Sequence, residues 1–230
     1  MLYNLKENKM LPLTTTDLNF VIRRIPRDVR KLMEDHALFL GGGFIRETIA
    51  GGIVQDIDLF GTSKEMLQLI AKELADTRQG RLHTTVNAIT IISPPRMPVQ
   101  FIMRWCFDSA KRLVESFDFT VCQAVIWHEG GEWRSLASTS FYPDLAAKRL
   151  VYTFPVRDEE AGGSMLRVRK FLKRGYNIQP PSLGGVIARL CAKVRWAEIN
   201  GDEQKAATVV ASILIEVDPI LVVDGLEIVD

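Results

Sequence analysis

The chain has little cysteine and histidine, and neither residue type occurs in a metal-binding or disulfide pattern. Its three cysteines, Cys106, Cys122 and Cys191, are far apart in the sequence and form no C-x-x-C pair, and only three histidines are present. This distribution argues against a tetrahedral zinc site and against a disulfide framework. We interpret the cysteines as buried free thiols in a reducing compartment, which predicts a cytoplasmic protein.

The sequence also lacks long apolar runs and a strong net charge. No stretch of about eighteen apolar residues is present, so no membrane span is expected, and the N-terminal MLYNLKENKM lacks the apolar segment of a signal peptide. The net charge of the 230 residues is +1, which gives no global polyanion-binding character. The charge is uneven, because residues 146–195 hold eleven Lys and Arg against three acidic residues. Such a local basic region can bind phosphates.

The chemistry that the sequence does offer is concentrated in residues 39–60, FLGGGFIRETIAGGIVQDIDLF. The pattern predicts a strand, a glycine turn, a short helix, a second glycine turn and a second strand that carries Asp56 and Asp58. Because alternate residues of a strand point to the same face, the two carboxylates share a face. Two carboxylates this close repel each other unless a cation lies between them, and a divalent cation with oxygen ligands suits such a pair.

The glycine turn before the carboxylates predicts an anion site. Gly41, Gly42 and Gly43 have no side chains to obstruct a ligand, so their amides and those of the following helix can face a phosphate. Arg46 on the first turn of that helix adds a fixed positive charge. EF-hand, Rossmann and Walker A motifs do not fit, because other residues occupy the positions that those motifs require. A phosphate cradle beside a carboxylate pair is typical of metal-dependent phosphoryl or nucleotidyl transfer.

The segment from Gly42 to Glu47, GGFIRE, followed by Asp56-Ile57-Asp58, resembles the head-domain signature of the class II tRNA nucleotidyltransferase and bacterial poly(A) polymerase family. This family belongs to the polymerase-beta-like nucleotidyltransferase superfamily. The resemblance covers about residues 36–178. It implies that Asp56 and Asp58 are catalytic and hold two Mg²⁺ ions, with Mn²⁺ as an alternative. It also implies that Gly42, Gly43 and Arg46 bind an NTP, with ATP or CTP favoured.

A second segment resembles the family's Arg-Arg-Asp-Phe-Thr-Ile-Asn-Ala motif, which approaches the nucleotide sugar. The sequence SFDFTVCQA matches it at Asp118-Phe119-Thr120, which implies a nucleotide contact for Asp118; the alternative is that Asp118 caps the entry to a strand. Ser116 and Phe117 replace the two arginines, and Cys122 replaces the asparagine. Gln100, which is neutral, stands where many superfamily members carry a third carboxylate.

The segment from Met165 to Tyr176 resembles the opening of the family's helical neck. The resemblance implies that Arg167 and Lys170 close the nucleotide site, while Ser164 stands where the family has another arginine. Helical spacing independently predicts a basic stripe that contains both residues, with Leu166, Phe171 and Leu172 packed on the other side. The alternative is that this stripe is only a solvated helix face.

Periodicity and capping residues place the remaining elements. The predicted segments are helices at 17–24 and 28–35, a helix after a capping box at Thr62–Glu65, strands at 83–93, 97–105 and 121–127, a hairpin around Gly130-Gly131, a turn and edge strand within 141–154, helices at 184–199 and 202–216, and a docking strand at 219–229.

Together these features predict an α+β protein. Residues 1–155 would form a nucleotidyltransferase head with a small mixed sheet flanked by helices, and residues 156–230 an α-helical neck, with the joint at 157–163. The predicted activity is template-independent transfer of NMP from an NTP to an acceptor hydroxyl, with an RNA or tRNA 3′ end as the leading acceptor. Two alternatives stay open: a transferase that acts on a protein or small nucleotide, and a non-catalytic nucleotide-binding protein on the same scaffold.

Overall fold

The structure is a computed structural model, which describes residues 9–155, 162–192 and 194–217. The chain forms two compact units that divide between Ala146 and Ala147. Most of the predicted joint at 157–163 and all of the predicted docking strand at 219–229 lie outside the described residues. In the described ranges, no helix is both long enough and apolar enough to cross a membrane.

The first unit alternates helices with the strands of one sheet. Its strands are β1 (Met10–Leu11), β2 (Phe39–Gly41), β3 (Ile57–Phe60), β4 (Arg81–Thr84), β5 (Ala88–Ser93), β6 (Arg96–Ile102), β7 (Ala124–Glu129) and β8 (Glu132–Ser138). Its helices are α1 (Thr15–Arg24), α2 (Arg27–Asp35), α3 (Gly43–Ala50), α4 (Lys64–Arg78), α5 (Ala110–Ser116) and α6 (Phe141–Ala146), with a 3-10 turn at Thr120–Cys122. The two predicted helices on either side of Pro26 and the hairpin at Gly130-Gly131 are confirmed.

The eight strands form one mixed sheet in the order β1-β8-β7-β2-β3-β6-β5-β4. The β3–β6 pair is parallel, and the other pairs of this sheet are antiparallel. This architecture confirms the predicted α+β class with a mixed sheet flanked by helices. The strands β2 and β3, which carry the glycine and aspartate motif, lie side by side in the middle of the sheet.

One face of the central strands is completely apolar. Ile57 and Leu59 of β3 and Val99 and Phe101 of β6 have no exposed surface, because their alternating positions all point into the core. Helix α4 contributes buried residues to the same unit, and its N-cap is Ser63 rather than the predicted Thr62, since the Ser63 hydroxyl accepts the Met66 amide. The residues between these apolar positions, including Asp58 of β3, therefore point to the opposite face.

The second unit is mainly helical. It contains β9 (Arg149–Leu150), α7 (Gly163–Lys173), β10 (Asn177–Ile178), α8 (Pro180–Cys191), α9 (Trp196–Ile199) and α10 (Glu203–Val217), and β9 pairs with β10 in parallel. In α7, Leu166 and Phe171 are buried as predicted, and the Phe171 ring packs edge-on against Tyr176 at 5.0 Å. The prediction for Leu172 is wrong, because 48% of its surface is exposed.

Several predicted boundaries are also wrong. The segment 83–93 contains a turn between β4 and β5, where the Thr85 hydroxyl accepts the Asn87 and Ala88 amides. The predicted turn within 141–154 is the helix α6, and the predicted helix 184–199 is divided into α8 and α9. The strand predicted at 121–127 begins only at Ala124, after the 3-10 turn. These errors concern short elements and element boundaries, where tertiary contacts override local propensity.

The three cysteines are all free, but their surroundings differ. Cys122 is buried as predicted, whereas Cys106 is exposed and Cys191 is partly exposed. The prediction of three buried thiols is therefore right only for Cys122.

Candidate active site

Asp58 lies at the centre of the sheet, on the face opposite the apolar core, and Asp56 lies just before the same strand. In the register of the strands, Asp58 of β3 is beside Gly41 of β2 and beside Gln100 of β6. Asp56 precedes β3 by one residue. The Gln100 side-chain Nε2 donates a hydrogen bond to Asp56 Oδ2 at 3.1 Å. The structure thus brings the two predicted metal ligands together with Gln100, whose contact with Asp56 the sequence did not reveal.

Gly42 brings the backbone of the glycine turn directly against Asp58. Its φ is +71°, and a Cβ atom at this position would lie 2.8 Å from Asp58 Oδ2. Both the backbone conformation and the close approach therefore require glycine. Gly42 is also the N-cap of α3, and it has no side chain to accept hydrogen bonds from the first amides of this helix. An anion can bind to these amides, next to the carboxylate pair.

Arg46 is buried close to this turn, with only 4% of its surface exposed. Its Nε donates to Glu47 Oε1 at 2.9 Å, its Nη2 lies 2.9 Å from the same oxygen, and its Nη1 donates to Cys122 Sγ at 3.4 Å. The guanidinium is therefore held in place by protein groups. The positive charge of Arg46 nevertheless interacts with Asp58 and acts to lower the pKa of that carboxyl. A direct contact between Arg46 and a phosphate stays a prediction.

Without a cation, ionisation of the Asp58 carboxyl is unfavourable. Burial, followed by repulsion from Asp56, raises the pKa of Asp58 from 3.8 to about 8, although Arg46 opposes the shift. A cation next to Asp58 would remove this penalty, because it would favour the ionised form. Bound positive charge would therefore stabilise the ionised pair, and Arg46 supplies only part of that charge.

The donor set fits a divalent cation that shares its coordination with a nucleotide. Among the described residues, no group of three or more His, Cys, Asp or Glu side chains is arranged to hold a metal ion. Asp56 and Asp58 offer carboxylate oxygens here. Mg²⁺ is commonly held by one or two carboxylates together with substrate phosphates and water, and the neighbouring anion site supplies the place for such phosphates.

The second predicted motif packs beneath the glycine turn. Phe117 lies edge-on to Phe60 with ring centroids 6.0 Å apart, and a Cβ on Gly41 would lie 2.9 Å from the Phe117 ring. Ser116 is buried and donates to the Leu113 carbonyl at 2.7 Å. Of the two residues that replace the arginines, Phe117 therefore packs against the glycine turn, whereas Ser116 bonds within its own helix α5.

Asp118 lies two residues before the 3-10 turn and has only 2% of its surface exposed. The neighbouring Thr120 hydroxyl donates to the buried Asp144 of α6 at 2.5 Å. No sequence pattern indicates this contact, since Asp144 lies in the segment for which a turn is predicted. A nucleotide contact of Asp118 stays a prediction.

The remaining predicted residues, Arg167 and Lys170, lie on α7 of the second unit. Arg167 is partly buried and Lys170 is exposed, while Ser164 near the start of the helix is buried. Their predicted contact with the nucleotide stays a prediction.

The fold resembles those of several solved tRNA-processing enzymes. The Thermotoga maritima CCA-adding enzyme complexed with tRNA_CCA matches with a TM-score of 0.55 and 16% identity, over 79% of this chain and 45% of that one. A CCA-adding enzyme with CTP matches with a TM-score of 0.54 and 15% identity, over 75% and 44%. A tRNA-processing enzyme with CTP matches with a TM-score of 0.50 and 20% identity, over 66% and 43%.

These matches show that the chain has a fold similar to that of CCA-adding enzymes. At such low identity they show the fold alone, and the matched regions span less than half the length of each of these three structures. The predicted resemblance to class II tRNA nucleotidyltransferases is therefore confirmed for the fold.

The sequence itself points to a more specific family. The family model described as "Gabija anti-defense 2 family protein" matches residues 13–148, which is more than half of the chain. The chain therefore belongs to the Gabija anti-defense 2 family. No curated protein matches the sequence. The matched region contains both aspartates, the glycine turn and Gln100, so the whole central part of the candidate site lies within it.

Proposed function

We propose that this protein is a metal-dependent, template-independent nucleotidyltransferase that transfers NMP from an NTP to an acceptor hydroxyl. The observation that carries the proposal is the contact between the two halves of the site. Gly42 approaches Asp58 so closely that no side chain would fit between them. A triphosphate bound to the amides of the glycine turn would therefore lie next to the carboxylates that hold its metal ions.

The chain's own groups would divide the work as follows. Gly42, Gly43 and the start of α3 bind the triphosphate, and Arg46, held by Glu47, contributes fixed positive charge. Asp56 and Asp58 would hold two divalent cations, Mg²⁺ or Mn²⁺, which supply charge neutralisation and activation of the acceptor. The acceptor hydroxyl releases its proton to water and its oxygen attacks the α-phosphorus in line, the bond from that phosphorus to the bridging oxygen breaks, and pyrophosphate leaves. Asp118, Arg167 and Lys170 are the proposed additional nucleotide contacts.

An RNA 3′ end is the leading acceptor, and ATP and CTP are the leading substrates. The support is that structures with this fold include a CCA-adding enzyme complexed with tRNA and others with CTP or ATP. The family description supplies a biological setting, so we propose that the transfer acts against the Gabija defence. The acceptor would then be an RNA, protein or nucleotide on which that defence depends.

A second candidate is a nucleotide-binding protein without turnover. It is favoured by the residues that replace expected functional groups, namely Gln100, Ser116, Phe117 and Ser164. Arg46 adds to this, because its guanidinium is engaged with Glu47 and Cys122. This candidate predicts NTP binding at the glycine turn with no labelled product.

The deciding experiment incubates the purified protein with each labelled NTP, Mg²⁺ and total RNA, and then separates RNA, protein and small molecules. The Asp56→Asn/Asp58→Asn double variant tests the site, and Asp108→Asn is the matched control, because Asp108 is an exposed carboxylate paired with Arg112. Label on RNA that only the double variant loses supports the leading proposal. Label on protein or on a small nucleotide changes the acceptor, and NTP binding without any product supports the second candidate. A parallel reaction with Gabija components tests the setting.

A further inference from the structure

Gln100 has no part in the mechanism above, yet it lies within the site. On the parallel strand β6 it is directly beside Asp58, and its neighbours Val99 and Phe101 are fully buried on the opposite face. Because side chains of adjacent residues in paired strands point to the same face, Gln100 and Asp58 share the face of the candidate site. The position of Gln100 is thus set by the core residues on either side of it.

The contact that Gln100 makes is with the other aspartate. Its Nε2 donates to Asp56 Oδ2 at 3.1 Å. Asp56 directly precedes β3 and is the last residue of a segment, residues 51–56, that contains no helix or strand. The regular hydrogen bonding of the sheet therefore does not fix Asp56 as it fixes Asp58. The amide of Gln100 connects Asp56 to a central strand of the sheet and occupies one of its two carboxylate oxygens.

We propose that Gln100 is a positioning residue that orients Asp56 toward the cation and that, because it is neutral, keeps the intrinsic cation affinity of the site low. This inference rests on the proposed function. Groups that hydrogen bond to a metal ligand fix its orientation, and loss of such a group commonly costs about 10- to 100-fold in metal affinity or activity. A carboxylate at this position would instead add a third negative charge next to Asp56 and Asp58.

Two substitutions separate the two parts of the proposal. Gln100→Met keeps the length of the side chain but removes the donor, so Asp56 loses its orienting hydrogen bond. We expect the Kd for Mn²⁺ to rise about tenfold. Gln100→Glu adds a carboxylate to the pair, and we expect the Kd for Mn²⁺ to fall about tenfold, in line with the effect of ligand charge on affinity for hard cations.

The measurement is titration of Mn²⁺ into the full chain, followed by the electron paramagnetic resonance signal of free Mn²⁺ and by calorimetry, with and without a non-hydrolysable NTP. Thr90→Val is the matched control, because Thr90 is beside Gln100 on the neighbouring strand β5, and strand β6 separates it from Asp58. Circular dichroism confirms that each variant is folded. In reactions, Gln100→Met should raise the Mg²⁺ concentration needed for half-maximal rate, with kcat recovered at saturating Mg²⁺, which a purely structural defect would not produce.

Each outcome is decisive. Unchanged Mn²⁺ binding in Gln100→Met overturns the positioning role, and binding no tighter than wild type in Gln100→Glu overturns the role of neutrality. Either result leaves the proposed function intact if Asp56→Asn/Asp58→Asn still abolishes Mn²⁺ binding. If the wild-type protein binds no Mn²⁺ with or without nucleotide, both this inference and the proposed function are refuted.

Discussion

Replacement of Asp58 by asparagine should stabilise the metal-free protein at neutral and alkaline pH. The pKa of Asp58 is raised from 3.8 to about 8, chiefly by burial and then by Asp56. The folded protein therefore keeps a proton on Asp58 that the unfolded chain releases above about pH 4. Since the folded state binds more protons over this range, stability falls as the pH rises from about 4 to about 8. Asparagine carries no charge in either state and removes this dependence.

The magnitude follows from the size of the shift. One pKa unit corresponds to about 1.4 kcal/mol, so a shift from 3.8 to about 8 has a formal value of roughly 4 kcal/mol at pH 7. Asp58 is partly exposed, and part of its pKa shift comes from repulsion by Asp56. Both facts reduce the gain in stability that a single substitution can produce. We expect Asp58→Asn to be about 1–3 kcal/mol more stable than wild type at pH 8, with the difference nearly absent at about pH 3, below the unfolded pKa.

The assay is urea unfolding in EDTA at several pH values, followed by the fluorescence of the four tryptophans. Asp108→Asn is the control, because Asp108 is exposed and its removal should change the free energy of unfolding by less than about 0.5 kcal/mol at any pH. Mg²⁺ should stabilise the wild-type protein and not Asp58→Asn. A stability difference that does not change with pH, or an Asp58→Asn protein less stable than wild type at pH 8, would contradict the reasoning.

Two further substitutions test the packing around the site. Gly42→Ala should destabilise the folded protein by about 2 kcal/mol or more and abolish nucleotide binding, because φ is +71° and the new Cβ would meet Asp58. Gly43→Ala is the control: its new Cβ would meet only the end of the Arg46 side chain at 3.5 Å, so this variant should unfold in urea like wild type. Arg78→Met should cost about 3 kcal/mol in the free energy of unfolding, since the fully buried Arg78 side chain bonds Asp28 at 2.7 Å; equal stability of the variant would contradict this. Burial raises the pKa of Asp28, but Arg78 lowers it more, so the net shift is downward. The Asp28–Arg78 pair should therefore stabilise the protein at pH 7, and this stabilisation should be lost as the pH falls below 4. Asp28→Asn tests this, because the variant should lose that pH dependence.

Much of the site followed from local patterns in the sequence. The glycine run, the short helix and the strand with two aspartates occur at α3, β3 and the turn between β2 and α3, close to where the pattern predicted them. Such features are local, because a glycine conformation and the two-residue period of a strand depend on residues that are adjacent in the chain. The predictions were weakest where an element's end depends on distant contacts, as in α6, whose Asp144 bonds Thr120.

The sequence by itself determined the chemistry that is available: two carboxylates on one face, glycines that can admit a phosphate, and an arginine nearby. Only the tertiary structure decided how these groups are used. Parallel pairing of β3 with β6 places Gln100 against Asp56, and burial of Arg46 between Glu47 and Cys122 fixes its guanidinium. The raised pKa of Asp58 has the same origin, because desolvation and distances between charges arise only when segments far apart in the chain are packed together.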